Sequence, residues 1–331
     1  MRVMADRPIL IAHRGASGDR PEHTLEAYLL AIEMGADFIE PDLVLSKDGV
    51  LVARHENEIS GTTDVAQRPE FAARHATKTI DGQSVKGWFT EDFTFAELRT
   101  LKARERLPEL RVANTAYDGQ FLIPSFDEIL ALAQTEGQAR GRVIGVYPET
   151  KHPSYFASIG LPHEAPLLAA LKEYGLTEVG SPVFIQSFEV GNLQVLRGKT
   201  QVRLIQLIDS EAGPADLPEM LYADMITPDG LKAIAAYADG IGPFKDLVIA
   251  RTADGHLGLP TQLVEQAHAV GLKVHPWTFR AENHFLPEGF KSSLDPQQKG
   301  DLASEIKAFV AAGVDGIFSD NSAEAHAALS D

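Results

Sequence analysis

Residues 9–44 of the chain read ILIAHRGASGDRPEHTLEAYLLAIEMGADFIEPDLV. The short apolar run Ile9–Ala12 predicts a buried strand, and Phe38–Val44 predicts a second one. Between them, the spacing of apolar residues over Leu25–Met34 is typical of a helix. A strand, a helix and a strand in this order indicate a βαβ unit, in which a crossover helix joins two parallel strands.

The same alternation continues along the chain. We predict six further strands, at Val143–Tyr147, Val183–Gln186, Val202–Leu207, Gly240–Gly242, Val274–Trp277 and Gly316–Phe318. Helical patterns separate them, at Phe126–Gln134, Pro166–Tyr174, Gly191–Leu196, Leu231–Ala236, Thr261–Val270 and Ala303–Ala312. Eight strands alternating with helices favour an α/β fold, a TIM (β/α)8 barrel, over an open doubly wound sheet. Seven or nine strands would also fit the pattern.

Residues 56–124 interrupt the alternation. We find no clear buried strand there, only loops and one helix, predicted at Phe95–Leu107 and opened by the capping box of Thr94 and Glu97. Connections of this length are usually functional or disordered, and the mixture of aromatic and charged residues favours the ordered case. We therefore interpret residues 56–124 as an insertion or small lobe on a single domain that spans residues 1–331.

The composition excludes several classes of protein. The 331 residues include 30 Lys and Arg against 47 Asp and Glu, a formal net charge of −17 that argues against a nucleic-acid surface. The chain has no cysteine, so disulfides, thiolate metal sites and cysteine nucleophiles are excluded. No apolar run approaches the ~20 residues that span a bilayer, and we expect no stable membrane insertion.

The amino-terminal residues, MRVMADRPILIAHRG, lack the order of basic region, apolar core and cleavage site that a signal peptide has. Two interpretations stay open. The protein stays in the cytoplasm, or it is exported by a leader that lies outside the given sequence. The absence of cysteine fits both.

Charged residues follow the first predicted strands. In a parallel barrel the carboxyl ends of the strands open onto the active face. The first strand leads directly into His13 and Arg14, a titratable imidazole beside a permanent cation with a planar fork of donors. An Arg lying over a histidine with purely structural contacts is the alternative interpretation.

Three carboxylates occupy equivalent places on the next two strands. Glu40 and Asp42 share a face because they are two residues apart on one strand, and Glu149 follows the third barrel strand. Carboxylate oxygens without thiolates or paired histidines suit one hard divalent cation, Ca²⁺ or Mg²⁺. A salt-bridge network with Arg14 and Lys151 is the alternative.

A second histidine is predicted at the same mouth. Asp48-Gly49 is typical of a hairpin turn, and the return strand Leu51–Arg54 ends at His55. This hairpin would fold His55 over His13, and two histidines near one metal-bound anion suggest a general acid and a general base. Taken alone, His55 would be assigned to the surface.

Four more residues are candidates for contacts with a small ligand. Lys151, two residues after Glu149, could hold a phosphate as a point charge. Gln186 and Phe188 end the fourth strand and Trp277 ends the seventh, so they could line an apolar pocket with a few polar groups. Each of these aromatic residues is, by itself, more often part of a core.

Three motifs near the amino end resemble those of the glycerophosphodiester phosphodiesterases. They are Ile11–Gly18 (IAHRGASG), Pro21–Thr24 (PEHT) and the strand that carries Glu40-x-Asp42.

Three further motifs are similar to the bacterial periplasmic branch of that family, which implies a periplasmic location. They are Tyr147–Lys151 (YPETK), Tyr237–Pro243 (YADGIGP) and Val274–Thr278 (VHPWT). The motifs keep a consistent order from Ile9 to Phe318, and the ordered set is more specific than any single motif.

The resemblance implies a TIM barrel of the phospholipase C-like phosphodiesterase type, with a small insertion after the second strand. It also implies roles for six residues: metal binding by Glu40, Asp42 and Glu149, acid/base catalysis by His13 and His55, and phosphate binding by Arg14. Three departures from the family pattern are present. His23 stands where Asn is usual, Glu56 follows His55 where Asp is usual, and the terminal Thr-Asp-x-Pro is replaced by Ser319-Asp320-Asn321-Ser322. We assign no role to Asp320.

The implied activity is metal-dependent hydrolysis of glycerophosphodiesters, such as glycerophosphocholine and glycerophosphoethanolamine, to sn-glycerol 3-phosphate and an alcohol. The resemblance suggests the glycerol 2-hydroxyl as nucleophile, although direct attack by water also fits. One alternative is a lysophospholipase D or phospholipase-like phosphodiesterase, which would need an apolar membrane-facing surface that we do not find. A non-catalytic barrel is the other, and it predicts the loss of a metal ligand or a histidine. All five of these residues are present.

Overall fold

The computed structural model describes residues 7–330. The first six residues of the amino-terminal segment that was compared with a signal peptide lie outside that range. The strands are β1 (Ile9–His13), β2 (Phe38–Glu40), β3 (Asp42–Leu45), β4 (Leu51–Ala53), β5 (Ala76–Ile80), β6 (Gln83–Gly87), β7 (Gly145–Val146), β8 (Glu149–Thr150), β9 (Phe184–Ser187), β10 (Arg203–Ile208), β11 (Gly240–Pro243), β12 (Ile249–Arg251), β13 (Leu257–Pro260), β14 (Lys273–Val274) and β15 (Gly316–Ser319).

The helices lie mostly between these strands. The α-helices are α1 (Leu25–Glu33), α2 (Phe95–Leu98), α3 (Phe126–Arg140), α4 (Pro153–Ser158), α5 (Glu164–Glu173), α6 (Val190–Arg197), α7 (Tyr222–Met225), α8 (Pro228–Ile234), α9 (Leu263–Ala269), α10 (Leu302–Ala311) and α11 (Ser322–Ser330). The 3₁₀ helices are Val65–Gln67, Pro69–Arg74, Thr90–Asp92, Val112–Tyr117, Lys245–Leu247 and Glu288–Phe290.

Eight parallel strands form the barrel, and two of them are interrupted, one into β2 and β3 and the other into β7 and β8. β1 pairs with β15 and β2, and β2 pairs with β7. After the break at Pro41, β3 continues the course of β2 and pairs with β8. The parallel pairing then continues in the order β8, β9, β10, β11 and β14. The chain after β14 reaches β15 through the bond from Phe318 N to Pro276 O (3.2 Å), which completes the circuit. The predicted TIM (β/α)8 barrel and its eight strands are confirmed.

An aromatic plug fills the barrel interior. Its members are Ile11, Phe38, Tyr147, Phe184, Ile205 and Phe318, all buried. The ring of Tyr147 stacks on that of Phe184, with centroids 4.9 Å apart, and meets Phe318 edge-on at 5.0 Å. Because side chains alternate along a strand, the residue two positions after each plug residue points to the same interior, one layer closer to the carboxyl end. The plug therefore forms the floor of any site at the carboxyl ends of the strands.

The prediction for residues 56–124 is wrong in two respects. These residues contain a hairpin, β5–β6, whose strands are mostly exposed, so they lack the apolar runs by which buried strands are recognised. Its turn residues Asp81 and Gly82 both have positive φ, as the mirror-image hairpin turn requires.

The predicted helix Phe95–Leu107 ends at Leu98, although its capping box of Thr94 and Glu97 is confirmed. Beyond it, Lys102 N binds Asp64 Oδ1 (2.8 Å), and Ala103 N binds Phe121 O (2.9 Å). These long-range bonds draw the segment into an extended conformation and override its local helical preference.

We expect a close contact in the plug to make Gly145→Ala destabilising. A Cβ on Gly145 would lie 2.2 Å from the ring of Phe38, so the aromatic plug would have to shift. The expected loss is about 1–3 kcal/mol of the free energy of unfolding, measured by urea denaturation. The control is Gly61→Ala, where nothing lies within 4 Å, and we expect a change within about 0.5 kcal/mol. Equal stability of the two variants would contradict the contact.

Candidate active site

A cavity of about 430 Å³ opens at the carboxyl ends of the barrel strands. It is lined by all but one of the site residues that the sequence predicts: His13, Arg14, Glu40, His55, Glu149, Lys151, Gln186, Phe188 and Trp277. The exception, Asp42, is buried beside Glu40 and Glu149. The structure therefore brings the whole predicted set together.

The three predicted metal ligands form one cluster. Glu40, Asp42 and Glu149 each offer a carboxylate oxygen, and these atoms lie within 4.8 Å of one another. The register of β3 and β8 places Asp42 opposite Glu149. Burial and the two neighbouring carboxylates raise the pKa of Glu40 well above its usual range. Burial, with Asp42 close by, likewise raises the pKa of Glu149 to about 8.

Two cations already contact this cluster. Arg14 Nε lies 3.2 Å from Asp42 Oδ2, and Lys151 Nζ lies 2.8 Å from Glu149 Oε1. Burial alone would raise the pKa of Asp42, but Lys151 and Arg14 hold it well below its usual range. The salt-bridge network of the alternative interpretation therefore exists, yet its two monovalent cations would balance only two of the three charges if all three carboxylates were ionised.

The donor set fits a hard divalent cation. All three side chains are oxygen donors, and they are buried at one point among groups that stay in place. Gln186 adds to this polar environment: its Nε2 donates to Glu40 Oε1 (3.0 Å), while its buried Oε1 has no hydrogen-bond partner among the described residues. Glu40, Asp42 and Glu149 could thus hold one divalent metal ion.

The turn after β1 aims Arg14 into the mouth of the barrel. Arg14 adopts φ +60°, a conformation that few side chains take up. Its backbone N is held by Glu40, through both the carbonyl O (3.1 Å) and Oε2 (2.9 Å). The next residue, Gly15, has φ +86°, and a Cβ there would lie 2.7 Å from the backbone of Ala27. Glycine is therefore required at position 15 of this turn.

His13 is held by a carboxylate that sequence reasoning missed. Its Nδ1 lies 2.6 Å from Asp320 Oδ1 at the end of β15. Burial and the charge of Arg14 lower the pKa of His13 to about 4, so the imidazole is neutral near pH 7. Because an ionised carboxylate only accepts hydrogen bonds, Nδ1 carries the proton and Nε2 is left with its lone pair. Asp320 lies two residues after the plug residue Phe318, and that spacing is the signal that could have found it.

His55 has a matching arrangement on the other side. The predicted hairpin of β3 and β4 is confirmed, and it places His55 in the same cavity as His13. His55 Nδ1 lies 2.5 Å from Glu56 Oε1. Burial, with Arg14 and Lys151 nearby, lowers the pKa of His55 to about 3. Both imidazoles are thus neutral and each has Nδ1 bound by a carboxylate.

His23 stands where Asn is usual in the family, and each of its two ring nitrogens has a polar partner. It is fully buried, and its Nε2 lies 2.9 Å from Asp42 Oδ2 while its Nδ1 lies 2.7 Å from the hydroxyl of Tyr28. His23 therefore orients one member of the carboxylate cluster.

Aromatic residues form part of the cavity wall. The ring of Trp277 lies 5.9 Å from Phe188 and 5.1 Å from Phe244, and its Nε1 donates to Gly242 O (2.8 Å). Phe188 and Trp277 line the cavity and also pack against the hydrophobic core.

Five polar lining residues lie outside the set predicted from the sequence: Asp209, Lys245, Arg251, Thr278 and Arg280.

The fold and the site together define a (β/α)8-barrel enzyme for an anionic substrate, with neutral histidines, cations and a carboxylate cluster around one mouth. Residues 13–324 match the model of the glycerophosphoryl diester phosphodiesterase family. The chain belongs to this family. Among the residues that the structure describes, no helix is both long and apolar enough to cross a membrane.

Named relatives are similar over most of their length. The chain is 38% identical to glycerophosphodiester phosphodiesterase GDPD6 of Arabidopsis thaliana, over 98% of this chain and 86% of that protein. It is 30% identical to a glycerophosphodiester phosphodiesterase of Haemophilus influenzae, over 87% and 82%. A phosphodiesterase of Oleispira antarctica, solved with the product sn-glycerol-3-phosphate, has the same fold: TM-score 0.65, 21% identity, and 98% of each chain covered.

We expect divalent metal to stabilise the protein through the carboxylate cluster. A ligand that binds only the folded state adds about 2.7 kcal/mol at 100 times its Kd. Titration of Ca²⁺ or Mg²⁺ into chelator-treated protein should therefore raise the melting temperature by several degrees.

Asp42→Asn should abolish most of that rise, because it removes one of the three carboxylates. Glu26→Gln, an equivalent change at an exposed position of helix α1, should keep it. A rise of the same size in both variants would show that the metal binds elsewhere.

Proposed function

We propose that the protein hydrolyses glycerophosphodiesters, such as glycerophosphocholine and glycerophosphoethanolamine, to sn-glycerol 3-phosphate and an alcohol. One observation carries the proposal: in a member of this family, two neutral histidines and the carboxylate cluster line the same cavity. The alternative of a lysophospholipase D is not favoured by any feature of the described residues.

Glu40, Asp42 and Glu149 would hold one divalent cation, Ca²⁺ or Mg²⁺, because both ions prefer oxygen donors. When bound, the cation supplies charge stabilisation for the phosphoryl oxygens. Arg14 and Lys151 contribute two further positive charges at the same place. With a monoanionic diester present, the three carboxylates, the dication and these two cations sum to zero, so a strongly acidic chain still has a neutral site for an anion.

His13 and His55 transfer the protons. With Nδ1 of each ring bound to a carboxylate, Nε2 is the atom that exchanges a proton with the substrate. One imidazole accepts the proton of the nucleophile and the other, once protonated, donates to the leaving alcohol. The nucleophile is the glycerol 2-hydroxyl, so that a cyclic phosphate forms and is then opened by water. Gln186, Phe188 and Trp277 contact the organic part of the substrate on the aromatic side of the cavity.

The first test is an assay for glycerol 3-phosphate released from glycerophosphocholine. We expect turnover that EDTA abolishes and that Ca²⁺ or Mg²⁺ restores. His13→Gln should lower kcat about 10²- to 10⁴-fold, because it removes one of the two proton-transfer groups. His256→Gln, at an exposed histidine outside the cavity, is the control and should leave kcat unchanged.

A choline assay separates the rival functions, because choline is released from both glycerophosphocholine and lysophosphatidylcholine. Faster choline release from lysophosphatidylcholine would identify a lysophospholipase D, and no turnover of either would point to a non-catalytic barrel.

The nucleophile is tested with a diester that lacks the 2-hydroxyl, the phosphocholine ester of propane-1,3-diol. If the 2-hydroxyl attacks, this compound binds but is not cleaved, and we expect it to act as a competitive inhibitor. Cleavage at the rate of glycerophosphocholine would instead identify water as the direct nucleophile.

A further inference from the structure

One short stretch of the insertion reaches both histidines. Arg106 and Arg111 lie between α2 and α3, and each contacts the carboxylate that is bound to one imidazole. The stretch thus contacts the carboxylate partners of both histidines of the acid/base pair, although neither arginine lines the cavity.

Arg106 holds the carboxylate of His55 in a double fork. Its guanidinium donates to both oxygens of Glu56, at 2.9 and 2.7 Å, and to both oxygens of Glu22, at 2.8 and 2.7 Å. Glu22 in turn accepts from Arg14 NH1 (3.0 Å). Bidentate pairs of this kind fix the orientation of both partners. The ring of His55 and the guanidinium of Arg14 are therefore tied to one common anchor.

Arg111 contacts the carboxylate of His13 through one nitrogen rather than through a fork. It is almost completely buried, and its NH2 donates to Asp320 Oδ2 (2.6 Å), while Nε donates to Glu282 Oε1 (2.6 Å). Asp320 Oδ2 also accepts from Arg280 Nε (2.8 Å). Both donors thus occupy Oδ2, and the other oxygen is left for the imidazole.

The stretch itself is closely hydrogen-bonded. Glu105 accepts from Leu107 N (2.8 Å) and from Asn114 Nδ2 (3.0 Å), and its own N donates to Asp118 Oδ1 (2.7 Å). A tight turn adds a bond from Arg111 N to Leu107 O (2.8 Å). The two arginines are therefore presented by a fixed scaffold rather than by a free loop.

We propose that residues 105–114 are a positioning segment: its two arginines align Glu56 and Asp320, and so fix the tautomer and the orientation of both histidines. This role rests on the proposed function, in which those histidines transfer the protons. A segment with a merely structural role would anchor the insertion and would affect stability alone.

Asp320→Asn gives the sharpest test of the tautomer. Because Arg111 and Arg280 both donate to one oxygen, an asparagine must turn its only oxygen toward them. Its amide NH₂ then faces His13 and donates to Nδ1, so the ring proton moves to Nε2. The histidine can no longer accept a proton there, and we expect kcat to fall at least about 100-fold, with KM within about two-fold.

The arginines are tested with Arg106→Lys and Arg111→Lys, which keep the charge but lose the planar set of guanidinium donors. We expect kcat to fall about ten-fold in each, again with little change in KM, because the carboxylates lose their alignment. The matched control is Arg74→Lys: Arg74 makes a fork with Glu97 in the same insertion and contacts no histidine. It should leave kcat unchanged.

Two readouts keep the possible failures apart. Nitrogen-15 NMR of histidine-labelled protein reports the tautomers of His13 and His55 without any substrate, so it remains informative even if glycerophosphocholine is not turned over. Absence of turnover in the unmodified protein contradicts the proposed function. The positioning role is overturned by a different combination of results. In that case the unmodified protein turns over normally, the arginine variants have the kcat of the Arg74→Lys control, and the His13 tautomer is unchanged in Asp320→Asn.

Discussion

Along each barrel strand, successive side chains point to opposite sides, and the geometry of the site depends on this alternation. The aromatic plug fixes which residues face the interior, and the positions two residues further along supply the chemistry. Phe38 is followed in this way by Glu40, and Tyr147 by Glu149. A shift of one residue in any strand would remove its functional side chain from the cavity and also break the plug. The same strand register therefore determines both the packing of the aromatic plug and the positions of the reactive side chains.

The electrostatics of the mouth follow from that placement. Three carboxylates are forced together in a buried position, where they are unfavourable unless positive charge is close by. Arg14 and Lys151 provide part of that charge, and a divalent cation would provide the rest. Burial, together with the charge of Arg14, lowers the pKa of both histidines and keeps them neutral, and Lys151 adds to this effect at His55. The charge of −17 is thus compatible with an anionic substrate, because the local balance at the mouth differs from the global one.

The barrel and the contents of its mouth could be predicted because both follow from short-range patterns. Strand periodicity placed Glu40 and Asp42 on one face, and an Asp-Gly turn placed His55 above them. Contacts between distant parts of the chain could not be predicted in this way. Asp320 lies in an altered motif, and Arg111 reaches it from 209 residues away. The β5–β6 hairpin escaped prediction because its strands are exposed, and α2 is short because long-range bonds compete with its helical preference.

The bond between His13 and Asp320 joins residues that are 307 positions apart, on the first and the last strands of the circuit. During synthesis β1 is made early, and the barrel can close only after its pairing partner β15 has also been made. Until then the imidazole of His13 lacks its carboxylate partner at Nδ1. The contact that positions this proton-transfer group can therefore form only after nearly the whole chain has been synthesised. A circular permutant opened at the exposed Asp81-Gly82 turn would make that contact local in sequence.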